Sequence, residues 1–252
     1  MPPAAEPVDE AGPEGVPARP GPGAPAVPGA PGRVEPGWLA PWRQVVGTGQ
    51  QLPDGRPRTP PRAGDGPVRR AAVLVLLGEG PGGPDVLLTR RADTLASHPG
   101  QVAFPGGRRD PDDLDDAACA LREAQEEVGV DPAAVTVLGT LPPLWVPPSS
   151  HQVVPVLGWW HEPGPVGVVD PLEVASVLRA PLAQLVEPAN RVGVRYPVGR
   201  GSGPGFVVGG LFVWGFTAGL LSWLLELAGV ALPWDATPVV DHEGSPLSGD
   251  GA

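Results

Sequence analysis

The segment from residue 98 to residue 130 constrains this chain most, because it places many carboxylates on and before one short predicted helix. Asp113, Asp115 and Asp116 precede an Ala/Leu-rich stretch, and acids at the positive end of a helix are typical of a helix start. Gly129 follows the stretch and is a suitable C-terminal cap. The segment is therefore predicted to be a capped helix with an acidic loop before it.

Glu126 and Glu127 follow Glu123 by three and four residues, so the three glutamates are expected on roughly one face of the helix. Like charges at this spacing destabilise a helix by about 0.2–0.5 kcal/mol per pair, which a divalent cation would offset. Mg²⁺ prefers such hard oxygen ligands and is commonly held by one or two carboxylates together with substrate phosphates. From these residues alone, a solvated acidic helix face remains an open alternative.

The run Arg122 to Val130, with Gly107 upstream, resembles the box motif of the Nudix family. The family pattern is Gly, five residues, Glu, seven residues, and then Arg-Glu-apolar-x-Glu-Glu-x-Gly-apolar. The second half matches closely. In the first half, Asp113 stands where the pattern has glutamate, and eight residues rather than seven separate it from Arg122.

The shifted spacing, with Phe104-Pro105-Gly106-Gly107 before it, resembles the coenzyme A diphosphatase branch of that family. Leu87 to Arg91 and His98 to Gly107 resemble the second signature of this branch, with Ala92 and Ala96 at positions where the branch has serine and arginine. The resemblance implies an α/β (α+β) domain with the Nudix fold, a mixed β-sheet sandwiched between helices. It also implies hydrolysis of coenzyme A or acyl-CoA to 4′-phosphopantetheine and adenosine 3′,5′-bisphosphate.

The resemblance and the residue chemistry together assign candidate roles. Carboxylates suit the metal and the general base, arginine donates in a fork to phosphate oxygens, and glycine lets the backbone approach a ligand. The candidates are Glu123, Glu126 and Glu127 for Mg²⁺ or Mn²⁺; Glu126, Glu173 and Arg122 for catalysis; and Arg90, Arg91, His98, Gly106 and Gly107 for the substrate. Arg122 is expected to orient the glutamates through an ion pair with Asp113.

Two alternative functions stay open at this stage. One is a Nudix hydrolase for another nucleoside diphosphate derivative, such as ADP-ribose or a dinucleotide cofactor. The other is a non-catalytic binding domain on the same fold, although the complete set of acids argues against it. The net charge of −11 argues against binding of nucleic acid through contacts to its phosphates. A small nucleotide diphosphate is therefore the expected partner.

Composition divides the chain, because its 38 prolines and 37 glycines are concentrated outside the periodic segments. Residues 1–36 and 233–252 are predicted to be disordered. Residues 37–68 are predicted to be a short apolar patch, Trp38 to Trp42, that docks onto the domain, followed by a linker. Residues 69–232 are predicted to form the Nudix domain, beginning with a hairpin of strands at 71–77 and 85–88.

The stretch 206–232 is apolar enough to suggest a membrane anchor, but its glycines favour a buried strand followed by a helix at about 217–228. No basic and apolar leader follows Met1, so a cytoplasmic location is expected. Cys119 lies in the predicted helix beside two alanines, and a buried structural thiol is favoured over a nucleophile.

Overall fold

The computed structural model describes residues 34–47, 69–146, 151–196, 201–237 and 239–245. Two β-sheets and four α-helices form the described part of the chain. The helices are α1 (Ala40–Gly47), α2 (Asp116–Val128), α3 (Leu182–Val186) and α4 (Gly215–Leu227). The strands are β1 (Arg69–Gly80), β2 (Gly83–Arg91), β3 (Val102–Ala103), β4 (Gly106–Arg108), β5 (Val135–Thr140), β6 (Leu144–Val146), β7 (His151–Trp160), β8 (Val174–Pro181), β9 (Arg191–Arg195), β10 (Ser202–Val208), β11 (Leu211–Val213) and β12 (Val239–Asp241).

The larger sheet has eight strands and mixed topology, with the order β3-β2-β1-β7-β5. β1 pairs antiparallel with β2 and parallel with β7, while β4, β6 and β8 pair with β1, β7 and β2. The predicted hairpin is present, and both strands are longer than predicted, so that Gly80 pairs with Gly83 at the turn. The unbroken apolar character of β1 and β7 follows from burial on both faces of a central parallel pair.

Each face of this sheet is covered by a different layer. Alternation along β2 sends Leu87 into the apolar cluster beneath α2, and sends Leu88 into the cluster shared with α1, α4 and the smaller sheet. The smaller sheet has the order β11-β10-β9-β12. The prediction of a mixed sheet sandwiched between helices is therefore confirmed.

The N-terminal boundary differs from the prediction. Leu39, Trp42 and Val45 are buried in the main core, with exposures of 0%, 2% and 3%. The apolar patch is thus an integral part of the domain, and a boundary at residue 69 leaves out part of its core. The predicted disorder of residues 1–33 and the predicted linker at 48–68 lie outside the described residues.

The C-terminal region is also more elaborate than predicted. The stretch 206–232 contains a hairpin and α4 rather than one strand and a helix, because Gly209 and Gly210, with φ of 58° and 75°, form a two-residue turn between β10 and β11. Within the described ranges, no helix is both long and apolar enough to cross a membrane. The prediction of disorder throughout 233–252 is wrong for β12, which pairs parallel with β9; residues 246–252 lie outside the described part.

Candidate active site

The helix α2 begins and ends where its sequence predicts. The side chain of Asp115 accepts a hydrogen bond from the amide of Ala118 at 2.8 Å, which satisfies a free amide of the first turn. Gly129 adopts the left-handed conformation, with φ of 77°, as the C-terminal cap. Ala124 and Val128 are fully buried against the larger sheet, so the helix is fixed in rotation about its axis.

That rotation separates the three glutamates into different environments. Glu127 is 5% exposed, whereas the side chain of Glu123 is 15% exposed and that of Glu126 is 58% exposed. Successive helix residues are rotated by about 100°, so Glu126 cannot share the buried edge that Glu127 occupies. Glu126 still lies close enough to Glu123 for its charge to raise the pKa of Glu123, but Glu123 and Glu127 are the more buried pair and Glu126 lies at the exposed margin.

The glycine pair seats the two inward glutamates. The amide of Gly106 donates to Oε2 of Glu127 at 3.2 Å. A Cβ atom at Gly107 would lie 2.4 Å from Cδ of Glu123, and one at Gly106 would lie 2.3 Å from the carbonyl oxygen of Ala72 in β1. At Gly106 the backbone of β1 excludes any side chain, and at Gly107 a side chain would have to displace the carboxylate of Glu123. The sequence predicted a substrate role for both glycines, and the structure gives them a role in placing acids.

Arg122 connects the acids of the site. Its Nε donates to Asp113 at 3.0 Å, which is the ion pair predicted from the sequence. Its other nitrogens donate to Glu126 at 2.8 Å and to Glu123 at 3.0 Å. The hydrogen bond from Arg122 holds the pKa of the Asp113 carboxyl down at about 2. Arg122 therefore fixes the position of three carboxylates through one guanidinium group.

The electrostatics of the inward pair differ from those of Asp113. Burial, together with the neighbouring charges of Glu123 and Glu173, raises the pKa of Glu127 to about 8. Burial also raises the pKa of Glu123. Two buried carboxyls that are difficult to ionise together would both be stabilised in their charged form by a bound cation.

Glu173 reaches this pair from the loop between β7 and β8. The amides of Gly167 and Val169 donate to the carbonyls of Val128 and Glu127 at 3.2 Å and 3.0 Å, which fastens the loop to the end of α2. The carbonyl of Glu173 accepts from the amide of Ala92 at 2.8 Å. The structure thus brings Glu173, predicted as a base or extra ligand, to the acids of α2, although the contacts of its loop carried no recognisable sequence signal.

The three basic candidates lie in different places. Arg91 is close enough to Glu127 to lower its pKa, and its buried Nε has no hydrogen-bond partner within the described residues. Arg90 is paired with Asp93, at 2.6 Å and 3.1 Å. His98 is exposed and hydrogen-bonds Gln101 at 3.0 Å. Arg91 is therefore the one of these that the structure joins to the acidic group.

The donor set is compatible with Mg²⁺. Within the described ranges, no three His, Cys, Asp or Glu side chains are already arranged as a metal cage. Mg²⁺ does not need one, since it keeps several waters and uses one or two carboxylates plus substrate phosphates. Glu123 and Glu127 supply such a pair, with Glu173 beside them. Cys119 is buried, and burial raises the pKa of its thiol to about 12, which suits the structural role predicted for it.

Comparison with known proteins identifies the family. The family model described as "NUDIX domain" matches residues 67–196. An uncharacterized Nudix hydrolase, NudL, of Cronobacter sakazakii is 44% identical over 159 residues, which cover 61% of this chain and 79% of that protein. Nudix hydrolase 15 of Arabidopsis thaliana is 36% identical over 168 residues, covering 61% of this chain and 56% of that protein.

Coverage of the plant relatives is lower than coverage of NudL. This chain spans 56% and 41% of the lengths of Arabidopsis Nudix hydrolases 15 and 22. A Nudix hydrolase structure from Mycobacterium smegmatis, RenU, is 21% identical with a TM-score of 0.46, covering 66% of this chain and 88% of that chain. The match to the family model extends over more than half of the 252 residues and includes the capped acidic helix. The chain belongs to the Nudix hydrolase family, whose members cleave diphosphate linkages.

Proposed function

We propose that this protein hydrolyses the diphosphate of coenzyme A or its acyl esters, releasing 4′-phosphopantetheine and adenosine 3′,5′-bisphosphate. The support for this substrate is the resemblance of residues 87–91 and 98–107 to the signature of the coenzyme A branch. The Nudix box has the shifted spacing of the same branch, with eight residues between Asp113 and Arg122.

The observation that carries the proposed chemistry is the convergence of four charged groups from separate elements. Glu123 and Glu127 come from α2, Glu173 from the loop before β8, and Arg91 from the end of β2. They lie close enough together that the charges of Glu123 and Glu173 raise the pKa of Glu127, and the charge of Arg91 lowers it. Three carboxylates beside one arginine are the groups needed to bind a diphosphate, since the carboxylates can hold a metal ion and the arginine can bind phosphate oxygens.

The residues of the chain have distinct tasks in this proposal. When bound, Mg²⁺ neutralises charge on the diphosphate and lowers the pKa of a coordinated water. Glu123 and Glu127 are the carboxylates that would hold it, and Gly106 positions Glu127 through its amide. Arg91, whose charge lies close enough to Glu127 to lower its pKa, is the arginine that would bind substrate phosphate oxygens through its guanidinium group. Arg122 keeps Glu123 in place by an ion pair, so it acts as a positioning residue.

Two carboxylates are candidates for accepting the proton of the attacking water. Glu126 is exposed, but its carboxylate forms an ion pair with Arg122 at 2.8 Å. Glu173 is exposed and lies beside the inward pair. A general base must be within reach of the water it activates and free to take its proton. This condition favours Glu173 as base and leaves Glu126 as a ligand or an anchor of Arg122.

Incubation of the purified full chain with coenzyme A and Mg²⁺ or Mn²⁺, followed by mass analysis of the products, tests the substrate. We expect 4′-phosphopantetheine and adenosine 3′,5′-bisphosphate in equal amounts, with no turnover in chelator. ADP-ribose and NAD⁺ should be poorer substrates by kcat/KM. Preference for either of them, or no cleavage of coenzyme A with any divalent cation, contradicts the proposal.

The site is tested with Glu127→Gln and Glu173→Gln. Both are expected to retain the fold. Glu173→Gln should lower kcat by about 10²–10⁴-fold, the usual contribution of a general base, and Glu127→Gln should lower turnover by at least about 100-fold because a carboxylate proposed to hold the metal is lost. Loss of rate that excess Mg²⁺ partly restores is expected for Glu127→Gln and not for Glu173→Gln. Glu79→Gln is the matched control, because Glu79 contacts Trp38 at the start of the domain. Near-normal turnover in both site variants refutes these roles.

A further inference from the structure

A second cavity opens on the face of the larger sheet that looks away from α2. Its volume is about 610 Å³, within the usual range of about 300–1,000 Å³ for small-molecule pockets. Asp93 and Gln101 line it from the loop between β2 and β3, Phe212 from β11, and His242 and Glu243 from the turn after β12. None of these residues has a role in the acidic site described above, so the cavity is open to a different ligand.

The end of β2 separates this cavity from the acidic site. Alternation along a strand sends the side chains of neighbouring residues to opposite faces of the sheet. The charge of Arg91 reaches Glu127 on the α2 side, whereas Arg90 lines the cavity together with β11 of the smaller sheet. A molecule bound in the cavity is therefore divided from the acids of α2 by the larger sheet.

One wall of the cavity is formed by aromatic rings. The ring centroid of Trp214 lies 6.2 Å from that of Tyr196 and 5.5 Å from that of His242. Trp214 and His242 are both half-buried and both line the cavity, and Phe212 adds a further ring. The faces of aromatic rings carry partial negative charge, so a wall of this kind attracts a cation placed against it.

The charged residues of the lining add to this preference. Arg90 lines the cavity, but both terminal nitrogens of its guanidinium group donate to Asp93, at 2.6 Å and 3.1 Å. Glu243 is exposed and contributes a second carboxylate. With one arginine against two acids and His242 neutral, the formal charge of the lining is −1. The lining therefore attracts a cation and repels an anion.

The part of the wall that follows β12 is held in a fixed turn. The carboxylate of Asp241 accepts a hydrogen bond from the amide of Glu243 at 2.8 Å. A Cβ atom at Gly244 would lie 3.3 Å from the ring of Phe212, so the turn packs on this ring. β12 itself pairs with β9 of the smaller sheet. Backbone contacts therefore position His242 and Glu243 at the cavity.

We propose that this cavity binds a small organic cation, a methylated ammonium, as a ligand distinct from the substrate. Its methyl groups pack against the rings of Trp214 and Phe212, and the carboxylates of Asp93 and Glu243 balance its charge. An unmethylated ammonium is strongly hydrated and needs hydrogen-bond acceptors, whereas a methylated one needs none and is suited to an aromatic wall. This assignment is independent of the diphosphate chemistry proposed above.

Calorimetric titration of the full chain with choline tests the assignment. We expect saturable binding with a Kd of about 1 mM or tighter. The neutral analogue of choline, in which a tert-butyl group replaces the trimethylammonium group, has the same shape without the charge. It should bind at least about tenfold more weakly, as expected for loss of a cation–π contact. Equal binding of the two compounds, or no saturable binding of choline up to about 10 mM, overturns the assignment.

Two variants locate the bound cation. Trp214→Leu should weaken choline binding by about tenfold, and Glu243→Gln by about two- to fivefold, since an exposed ion pair contributes less. The matched control is Trp38→Leu, because Trp38 donates to Glu79 at the hairpin turn, the other end of β2, and should leave choline binding unchanged. Thermal unfolding verifies that each variant is folded, and the exposed Glu243 keeps the test open if Trp214→Leu is not. Choline binding that neither variant weakens overturns the assignment.

A kinetic measurement separates this cavity from the substrate site. With coenzyme A as substrate, choline should not act as a competitive inhibitor, because the two molecules lie on opposite faces of the sheet. A KM that rises in proportion to the choline concentration would place choline in the substrate site and overturn the assignment. If coenzyme A is not cleaved, the proposed substrate falls, and the titrations of the wild-type chain and its variants decide the cavity assignment by themselves.

Discussion

Gly107→Ala should disable the metal site while leaving the fold nearly intact. A Cβ atom at this position would lie 2.4 Å from Cδ of Glu123 and 2.5 Å from both of its oxygens. No real Cβ contact is this short, so one group must move. The group in the way is the far end of a flexible side chain, so Glu123 rotates away and the backbone of β4 keeps its place.

The energetic consequences of this change fall mainly on function. Displacing Glu123 breaks its 3.0 Å hydrogen bond with Arg122, and a charged hydrogen bond contributes about 1.5–3 kcal/mol. Alanine in place of glycine restricts the unfolded chain and offsets about 0.4–1 kcal/mol of this loss. The net destabilisation is about 1–2 kcal/mol. Mutation of a residue that only supports a metal ligand lowers metal affinity by about 10–100-fold. Gly107→Ala displaces a proposed ligand itself, so Mg²⁺ affinity should fall by about 100-fold or more.

Three alanine variants measured together make this reasoning decisive. At Gly106, where φ is 153°, the added Cβ would meet the carbonyl oxygen of Ala72 at 2.3 Å, and backbone cannot rotate away. Gly106→Ala should therefore cost about 3–5 kcal/mol, from overpacking and backbone strain. Gly219 lies in α4 with open space around it, so Gly219→Ala should stabilise by about 0.5–1 kcal/mol.

The assays are Mg²⁺ titration by calorimetry, turnover under saturating Mg²⁺, and thermal unfolding. About 1 kcal/mol corresponds to a melting-temperature change of about 2–4 °C for a domain of this size. Gly107→Ala should show the largest loss of metal affinity among the folded variants, with a decrease in Tm of only a few degrees. Wild-type metal affinity in Gly107→Ala refutes the placement of Glu123, and a decrease in Tm as large as that of Gly106→Ala refutes the claim that only a side chain moves.

Three further outcomes are expected. The folded-state pKa of Glu127 is about 8, above its ordinary value, so the stability that its protonated form contributes is complete below about pH 4.5 and is lost as pH rises through 8; unfolding in chelator should show this slope, and Glu127→Gln or added Mg²⁺ should reduce it. The pKa of Asp113 is lowered to about 2, so its contribution is present above the ordinary value and is lost as pH falls toward 2; Asp113→Asn should destabilise by about 2–4 kcal/mol at pH 7 in urea unfolding and remove this acid-range slope. Trp42→Ala should cost about 3–5 kcal/mol in the same assay, because the indole is 2% exposed in the main core, and a change below 1 kcal/mol would contradict its burial.

Local sequence signals predicted the elements that depend on local physics. Three aspartates at 113–116 and Gly129 indicated both ends of α2, because a side-chain oxygen at the start and a left-handed residue at the end satisfy backbone groups directly; the structure shows that Asp115 is the cap. The hairpin of β1 and β2 followed from two apolar runs separated by glycines and prolines. The Arg122–Asp113 ion pair followed from the box motif and is present at 3.0 Å.

Features that depend on distant contacts were not predictable in the same way. The exposure of Glu126 and the burial of Glu127 depend on the rotation of α2, which Ala124 and Val128 set by packing on the sheet. The apolar patch at Trp38 to Trp42 indicated docking onto the domain, but the core residues that Trp42 meets, and the pairing of β12 with β9, involve partners far along the chain with no local periodicity to indicate them. Gly209–Gly210 did carry a local turn signal, and reading the apolar stretch as one strand overlooked it.

The departure of the box from its family pattern is explained by what Asp113 contacts. An aspartate with one extra residue before Arg122 could have left the arginine unanchored. Instead, Oδ2 of Asp113 accepts the amide of Asp110 at 2.8 Å, which tightens the loop, while Arg122 donates to both of its oxygens at 3.0 Å and 3.1 Å. The carboxylate is buried, and its low pKa keeps it charged across the neutral range. The added residue and the shorter side chain therefore compensate each other, and the anchor that fixes Arg122, and through it Glu123, is preserved at a different spacing.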